Sequence, residues 1–199
     1  EFSTGHRYKF GDVQIDGVTQ SEKLIRPLVP FKSGDPYTAT KLAEFSQALS
    51  ETKYFREVDV HPLLKSAKNY TVPIYVELKP KSNNLVEVGM GYDTDEGVRA
   101  QLGWEKPWLN EYGHSMSAQL KVSMVQQDIT LNYRIPGKDP INDYYHLQAV
   151  YENTELNDTQ SKLSNVGIHY WTKKLGDWQR DYFTRLEYEE YVQGSETGN

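Results

Sequence analysis

The residues best equipped for acid–base or metal chemistry are five histidines, His6, His61, His114, His146 and His169, and a few close-set carboxylates. The histidines fall in different segments, and no pair stands at the His-x-x-x-His spacing that turns two imidazoles toward one zinc ion, so they read as polar surface or lumen groups. Cys is absent, which excludes a disulfide framework, a thiolate nucleophile and a Cys-based zinc site. Asp93-Thr94-Asp95-Glu96-Gly97 begins like a calcium loop but lacks the closing Glu, and reads as a hairpin turn. Glu187 and Glu189 share a strand face, as paired acids for glycoside chemistry would, yet Arg185 stands on the same face and a solvated wall accounts for all three. Gly89-x-Gly91 lies inside a strand pattern and opens no helix, so it cradles no phosphate; glycines in a strand permit bending or close approach, or line a crowded interior. No Gly-x-Ser-x-Gly nucleophile motif occurs. The sequence thus predicts no enzyme, no catalytic residue, no metal and no cofactor.

The elements that carry these residues belong to a folded chain, since 37% of residues are hydrophobic and 13% aromatic within 199 positions. Fifteen Tyr and four Trp in so polar a chain point to strands with one apolar face. A net charge of −6, with no basic run longer than Lys173-Lys174, argues against nucleic acid as a partner. No apolar run approaches the roughly 20 residues of a membrane helix. The mean hydropathy of −0.73 still permits a β-barrel, whose alternating strands average out as polar.

Residues 5–81 predict a βααββ domain. Tyr8 to Ile15 reads as a strand ending at the Asp16-Gly17 turn, and Thr19 with Glu22 forms a capping box for a short helix bearing Leu24, Ile25 and Leu28, broken near Pro27. Thr38 or Thr40 caps a second helix whose apolar positions Leu42, Phe45, Ala48 and Leu49 recur at helical spacing. Phe55 to Leu63 and Val72 to Leu78 follow as strands, and Lys79 to Asn84 as a linker. Two helices on one face of a small sheet make an α+β domain.

From Leu85 to the end at residue 199 the helical period vanishes. Val86, Val88, Met90 and Tyr92 alternate with polar or Gly positions; so do Val98 to Trp104, Met116 to Met124, Ile129 to Ile135, Tyr145 to Tyr151, Val166 to Tyr170 and Tyr182 to Tyr188. These are about seven strands, joined by turns at Asp93 to Gly97, Asn110 to Gly113, Gly137 to Asp143, Glu155 to Gln160 and Lys174 to Asp177, with a tight reversal near Gln126-Gln127. The result is an antiparallel up-and-down meander. Its apolar face points inward in a soluble sandwich or lipocalin-like barrel, and outward in a transmembrane barrel; alternation fits both. Trp104, Trp108, Tyr112, Trp171 and Trp178 fall near strand ends, where an aromatic girdle would meet headgroups.

The motifs Gly5-His6-Arg7-Tyr8-Lys9-Phe10-Gly11, Pro30-Phe31-Lys32-Ser33-Gly34-Asp35 and Tyr54-Phe55-Arg56-Glu57-Val58, then Glu87-Val88-Gly89-Met90-Gly91-Tyr92, Trp104-Glu105-Lys106-Pro107-Trp108 and Leu156-Asn157-Asp158-Thr159, resemble the BamA/TamA superfamily of POTRA-bearing outer-membrane barrels, most closely its TamA-type members. The resemblance implies a periplasmic POTRA domain at 5–81 and the N-terminal portion of a barrel at 85–199, incomplete because such barrels are expected to have sixteen strands and the segments defining their second half have no counterpart here. It implies a Gram-negative outer-membrane assembly factor that handles β-rich clients such as autotransporters, in contact with membrane lipid and a TamB-like inner-membrane-anchored partner. A BamA-like general insertase, or a polypeptide-conducting channel of the two-partner secretion type, is the implied alternative. The first barrel strand, with Leu85, Glu87, Gly89, Gly91 and Tyr92, becomes the candidate seam at which a client strand is templated, and the POTRA strand with Phe55, Val58 and Val60 a candidate docking edge.

Overall fold

The computed structural model describes residues 7–17, 22–94, 97–156, 159–173 and 178–194. The expected Thr19 cap, the Asp95 and Glu96 carboxylates, Asn157-Asp158 and the Lys174 to Asp177 turn lie outside the described residues. The chain divides into two compact units, one built on the residues up to Lys81 with the turns Glu111–Gly113 and Lys138–Ile141, the other on the rest from Ser82 onward.

The first unit contains β1 (Lys9–Asp16), α1 (Glu22–Ile25) continued by a 3-10 turn at Arg26–Leu28, α2 (Ala39–Glu51), β2 (Phe55–Pro62) and β3 (Thr71–Pro80). Pro27 lacks the N–H that would extend α1, which is why the α-helix gives way to the tighter turn there. Of the two candidate caps of α2, Thr38 serves: its hydroxyl accepts from the Lys41 N–H. The sheet runs β1-β3-β2, with β1 parallel and β2 antiparallel to the central β3. Val72, Ile74, Val76 and Leu78 alternate on one face of β3 and are fully buried, as are Phe45, Leu49 and Ile25 of the helices. Phe10 stacks on Phe31 at 3.8 Å, and Phe31 meets Phe45 edge-on at 5.9 Å. Lys79 and Pro80, expected in the linker, extend β3 instead, because β2 continues to offer pairing partners as far as Phe55.

The second unit is one antiparallel sheet of seven strands: β4 (Leu85–Asp93), β5 (Gly97–Lys106), β6 (Ser115–Val122), β7 (Gln126–Pro136), β8 (Tyr144–Leu156), β9 (Thr159–Lys173) and β10 (Gln179–Gln193), in spatial order β10-β9-β8-β7-β6-β5-β4. Every strand pairs with its sequence neighbour, the predicted meander. Two boundaries shift. Met124, expected at the end of β6, sits in the reversal, and that reversal is at Ser123–Val125 rather than Gln126-Gln127, because the Ser123 hydroxyl accepts from the Gln126 N–H at 2.9 Å and closes the turn early.

Register decides what each face is. Val86, Trp104, Ala118, Leu131, Ala149, Val166 and Leu186 form one row across all seven strands, and Val88, Leu102, Leu120, Ile129, Tyr151, Ser164 and Tyr188 the next. Among the described residues nothing covers the outer strands of this apolar face: Val88 is 72% exposed and Leu186 78%. Every buried hydrophobic side chain among the described residues belongs to the first unit. Among the described residues no second sheet stacks on the apolar face.

Candidate functional site

On the candidate seam strand the period of two sends Leu85, Glu87, Gly89 and Gly91 to the polar face and Tyr92 to the apolar one. Within the described sheet, β4 pairs only with β5, so its other side presents backbone N–H and C=O groups in line. A groove of about 440 Å³ opens beside it, lined by Gly89, Gly91, Arg99, Gln101, Lys121 and Asp128 among others. The two glycines have different steric reasons. A Cβ on Gly91 would stand 2.9 Å from Nε of Arg99, whose guanidinium lies across that position, whereas a Cβ on Gly89 would meet only Cβ of Gln101 at an ordinary 3.7 Å. Lys121 is held 3.6 Å from Asp128 on the neighbouring strand.

Strand β2, the candidate docking edge, occupies an edge of its sheet. Phe55 is buried, Val58 and Val60 are half-buried toward the helical side, and the exposed positions between them carry Glu57 and Asp59. Lys79 on β3 bridges to Glu57 at 3.0 Å, which raises the lysine's pKa through that hydrogen bond first and its charge second. At the opposite edge of the same sheet the Tyr75 hydroxyl donates to Asp16 at 2.7 Å and the Gly17 N–H donates to it at 2.7 Å. Together these hold the Asp16 carboxyl below its usual range, the phenol being the larger cause, and raise the pKa of Tyr75.

The five aromatic residues expected in a girdle divide. Trp104 stands in an apolar row and its indole N–H donates to Asn84 at 3.1 Å. Trp108 and Tyr112 lie in the β5–β6 connection, the latter in the Glu111–Gly113 turn of the first unit, and Trp178 just before β10 is 81% exposed. Trp171 is a correction: the pairing register turns it to the polar face, stacked at 6.1 Å on Tyr144, because it follows Tyr170 by one residue and a strand alternates. The sequence reading missed a row of tyrosines on the apolar face, Tyr145, Tyr170 and Tyr182, which are direct cross-strand partners with ring centroids 4.6 and 6.4 Å apart. Their spacing in sequence carries no signal, since only register aligns them.

The polar face is wired by short side-chain contacts. Oδ1 of Asn132 accepts from Gln148 at 3.1 Å and lies 3.1 Å from Nε2 of His146, while its amide donates to Ser117. Arg185 pairs with Glu187 at 3.5 Å and Ser161 donates to Glu189, as a solvated wall would have it. Among the described residues no three His, Asp or Glu side chains form a metal-binding group.

Residues 8–81 match the POTRA family, described as a surface antigen variable number repeat. Over 141 residues, 70% of this chain, the sequence is 28% identical to the outer membrane protein assembly factor BamA of Buchnera aphidicola subsp. Acyrthosiphon pisum (strain APS) and covers 21% of it. The fold is similar to that of BamA from Haemophilus ducreyi lacking POTRA domains 1–3, with a TM-score of 0.69 at 15% identity, over 93% of this chain and 36% of that one. It is also similar to CdiB from Acinetobacter baumannii, with a TM-score of 0.56 at 13% identity, over 93% of this chain and 38% of that one. The chain thus spans about a fifth of the curated relative and little more than a third of these structures.

Proposed function

From its membership of the BamA/TamA superfamily, as a POTRA domain joined to part of an outer-membrane barrel, we propose that this chain helps assemble β-rich client proteins by offering β4 as a template strand. It resides in the Gram-negative outer membrane, with the POTRA domain in the periplasm. At the coarse level the family supports outer-membrane protein assembly or two-partner secretion. The finer reading, a non-enzymatic TamA-type factor for autotransporter-like clients with a TamB-like partner docking on the POTRA side, is ours.

The proposal is carried by the likeness of the fold to BamA together with the glycine-lined groove beside β4, the first strand of the sheet. Unpaired strand groups are costly in hydrocarbon, so an incoming strand that satisfies them is bound by main-chain hydrogen bonds whatever its sequence. The edge of β2 offers a partner the same chemistry in water, where pairing is worth less. A second reading, a conduit for an unfolded chain, draws on the polar face of the sheet.

Because the chain has no Cys, a single thiol placed at Glu87 or Gly89 is unique and serves as a cross-linking probe. Templating predicts disulfide capture of a stalled client by successive β4 positions in strand register. Capture at Gln119→Cys on the polar face, with none along β4, would instead favour the conduit and overturn templating.

A further inference from the structure

Arg99 on β5 and Gly91 on β4 are direct cross-strand partners on the polar face. The arginine does not stay over its own strand. Its Nε stands 2.9 Å, Cγ 3.4 Å and Cδ 3.7 Å from where a Cβ of residue 91 would be, so the side chain lies over the glycine and carries its guanidinium onto β4. Any side chain at 91 would close that passage. Three charged residues line the groove beside β4, namely Arg99, Lys121 and Asp128, with Gln101, Ser123 and Gln126 as uncharged polar groups. Lys121 is matched, 3.6 Å from Asp128. Arg99 is exposed and has no ion-pair or hydrogen-bond partner among the described residues. Within the described groove one positive charge is thus left uncompensated, and it is the one that reaches β4.

We propose that Arg99 selects among incoming strands by pairing with a carboxylate side chain on the client residue that faces Gly91, an inference that rests on β4 acting as the template strand. Neighbouring strands lie about 4.7–4.9 Å apart, so a strand added to β4 stands roughly 10 Å from β5, a gap that an outstretched arginine and a glutamate bridge together. A guanidinium offers a carboxylate two parallel N–H donors, which neither an amide nor the already matched Lys121 supplies. Main-chain hydrogen bonds accept any sequence, so a template strand discriminates between clients only through side chains. The missing side chain at Gly91 lets one such contact be made across the strand. A lysine at the same client position would meet a like charge there and be disfavoured.

The test uses the full chain carrying Glu87→Cys, its sole thiol, folded in detergent micelles, and synthetic strand peptides with one Cys each. A disulfide to position 87 fixes the register, so in an antiparallel pair the peptide residue four positions before its Cys faces Gly91. That residue is made Glu, Gln or Lys in turn. In a thiol–disulfide exchange buffer the Glu peptide is expected to be captured about three- to tenfold more than the Gln peptide, and the Lys peptide least. Arg99→Gln should erase the difference, and Arg99→Glu should reverse it in favour of Lys. Equal capture of all the peptides with Arg99 intact, or a preference that survives Arg99→Gln, overturns the role of Arg99 and leaves the template strand standing; capture of none overturns both. If the Arg99 variants fail to fold, the unaltered arginine still decides: the preference for Glu should shrink as salt is raised, and a preference independent of salt overturns the pairing.

Discussion

A methyl group added at Gly17 would stand 2.2 Å from the carbonyl oxygen of Leu78, on a backbone whose φ of +90° already disfavours any side chain. Gly17→Ala is therefore expected to destabilise the POTRA domain by more than about 2 kcal/mol, read as a lower urea midpoint at unchanged slope. The adjoining Asp16 gives a pH dependence. Its folded pKa is depressed, so its contribution is fully present above the unfolded carboxylate range and is lost as pH falls through the lower folded value. Tyr75, with a raised pKa, contributes below the ordinary phenol range and loses that contribution as pH rises through the higher folded value. Tyr75→Phe should move the Asp16 titration, followed by NMR, upward toward the usual carboxylate range; an unmoved titration would assign the depression to the Gly17 N–H alone. The Asp16-Gly17 turn is legible in the dipeptide itself, whereas a phenol 59 positions along the chain becomes its partner only through the β1–β3 register. The same holds for Gly91: its place in a strand could be read, but not that Arg99 lies across it.

Among elements, helix α2 and strand β3 were readable because one period suffices to define each: Phe45 and Leu49 on the helix and Val72, Ile74, Val76 and Leu78 on the strand are the buried positions, as the four- and two-residue spacings require. Phe45 is fully buried against Phe31, and Phe45→Ala should cost about 3–5 kcal/mol in the same urea assay. In the meander the alternation defines two faces per strand but not how strands slide against each other, which is why Trp171 reads as a girdle residue and proves to stack on Tyr144, while the Tyr145–Tyr170–Tyr182 row goes unseen. Adjacent positions on β7 separate the faces experimentally. Leu131 lies in an apolar row and Thr130 on the polar face. Leu131→Arg, facing lipid near mid-height, is expected to lower folding stability in phospholipid vesicles by about 2–4 kcal/mol, and Thr130→Arg by much less. Equal losses would mean that the two faces see the same solvent.

For the molecule as a whole, the division at about residue 82 separates two ways of satisfying the hydrophobic effect. The first unit buries its own apolar side chains, down to 0% exposure at Phe10, Phe45 and Leu49. The second buries none fully among the described residues and leaves Met90 at 83% and Leu186 at 78%. Contiguous apolar surface on that scale is not stable in water, since each exposed side chain forgoes about 1.5–3 kcal/mol of transfer free energy. The alternating sequence announced the faces but could not say which solvent meets the apolar one; the outer-membrane localisation supplies lipid. Residues 1–81 are accordingly expected to fold cooperatively in plain buffer, and residues 82–199 to show strand circular dichroism only when micelles or vesicles are present. Adding micelles should change the second spectrum and leave the first alone. A cooperative strand signal from 82–199 in detergent-free buffer would mean that the apolar rows find cover in protein rather than lipid, and the outward face, the tyrosine row at its margin and the template strand would fall together.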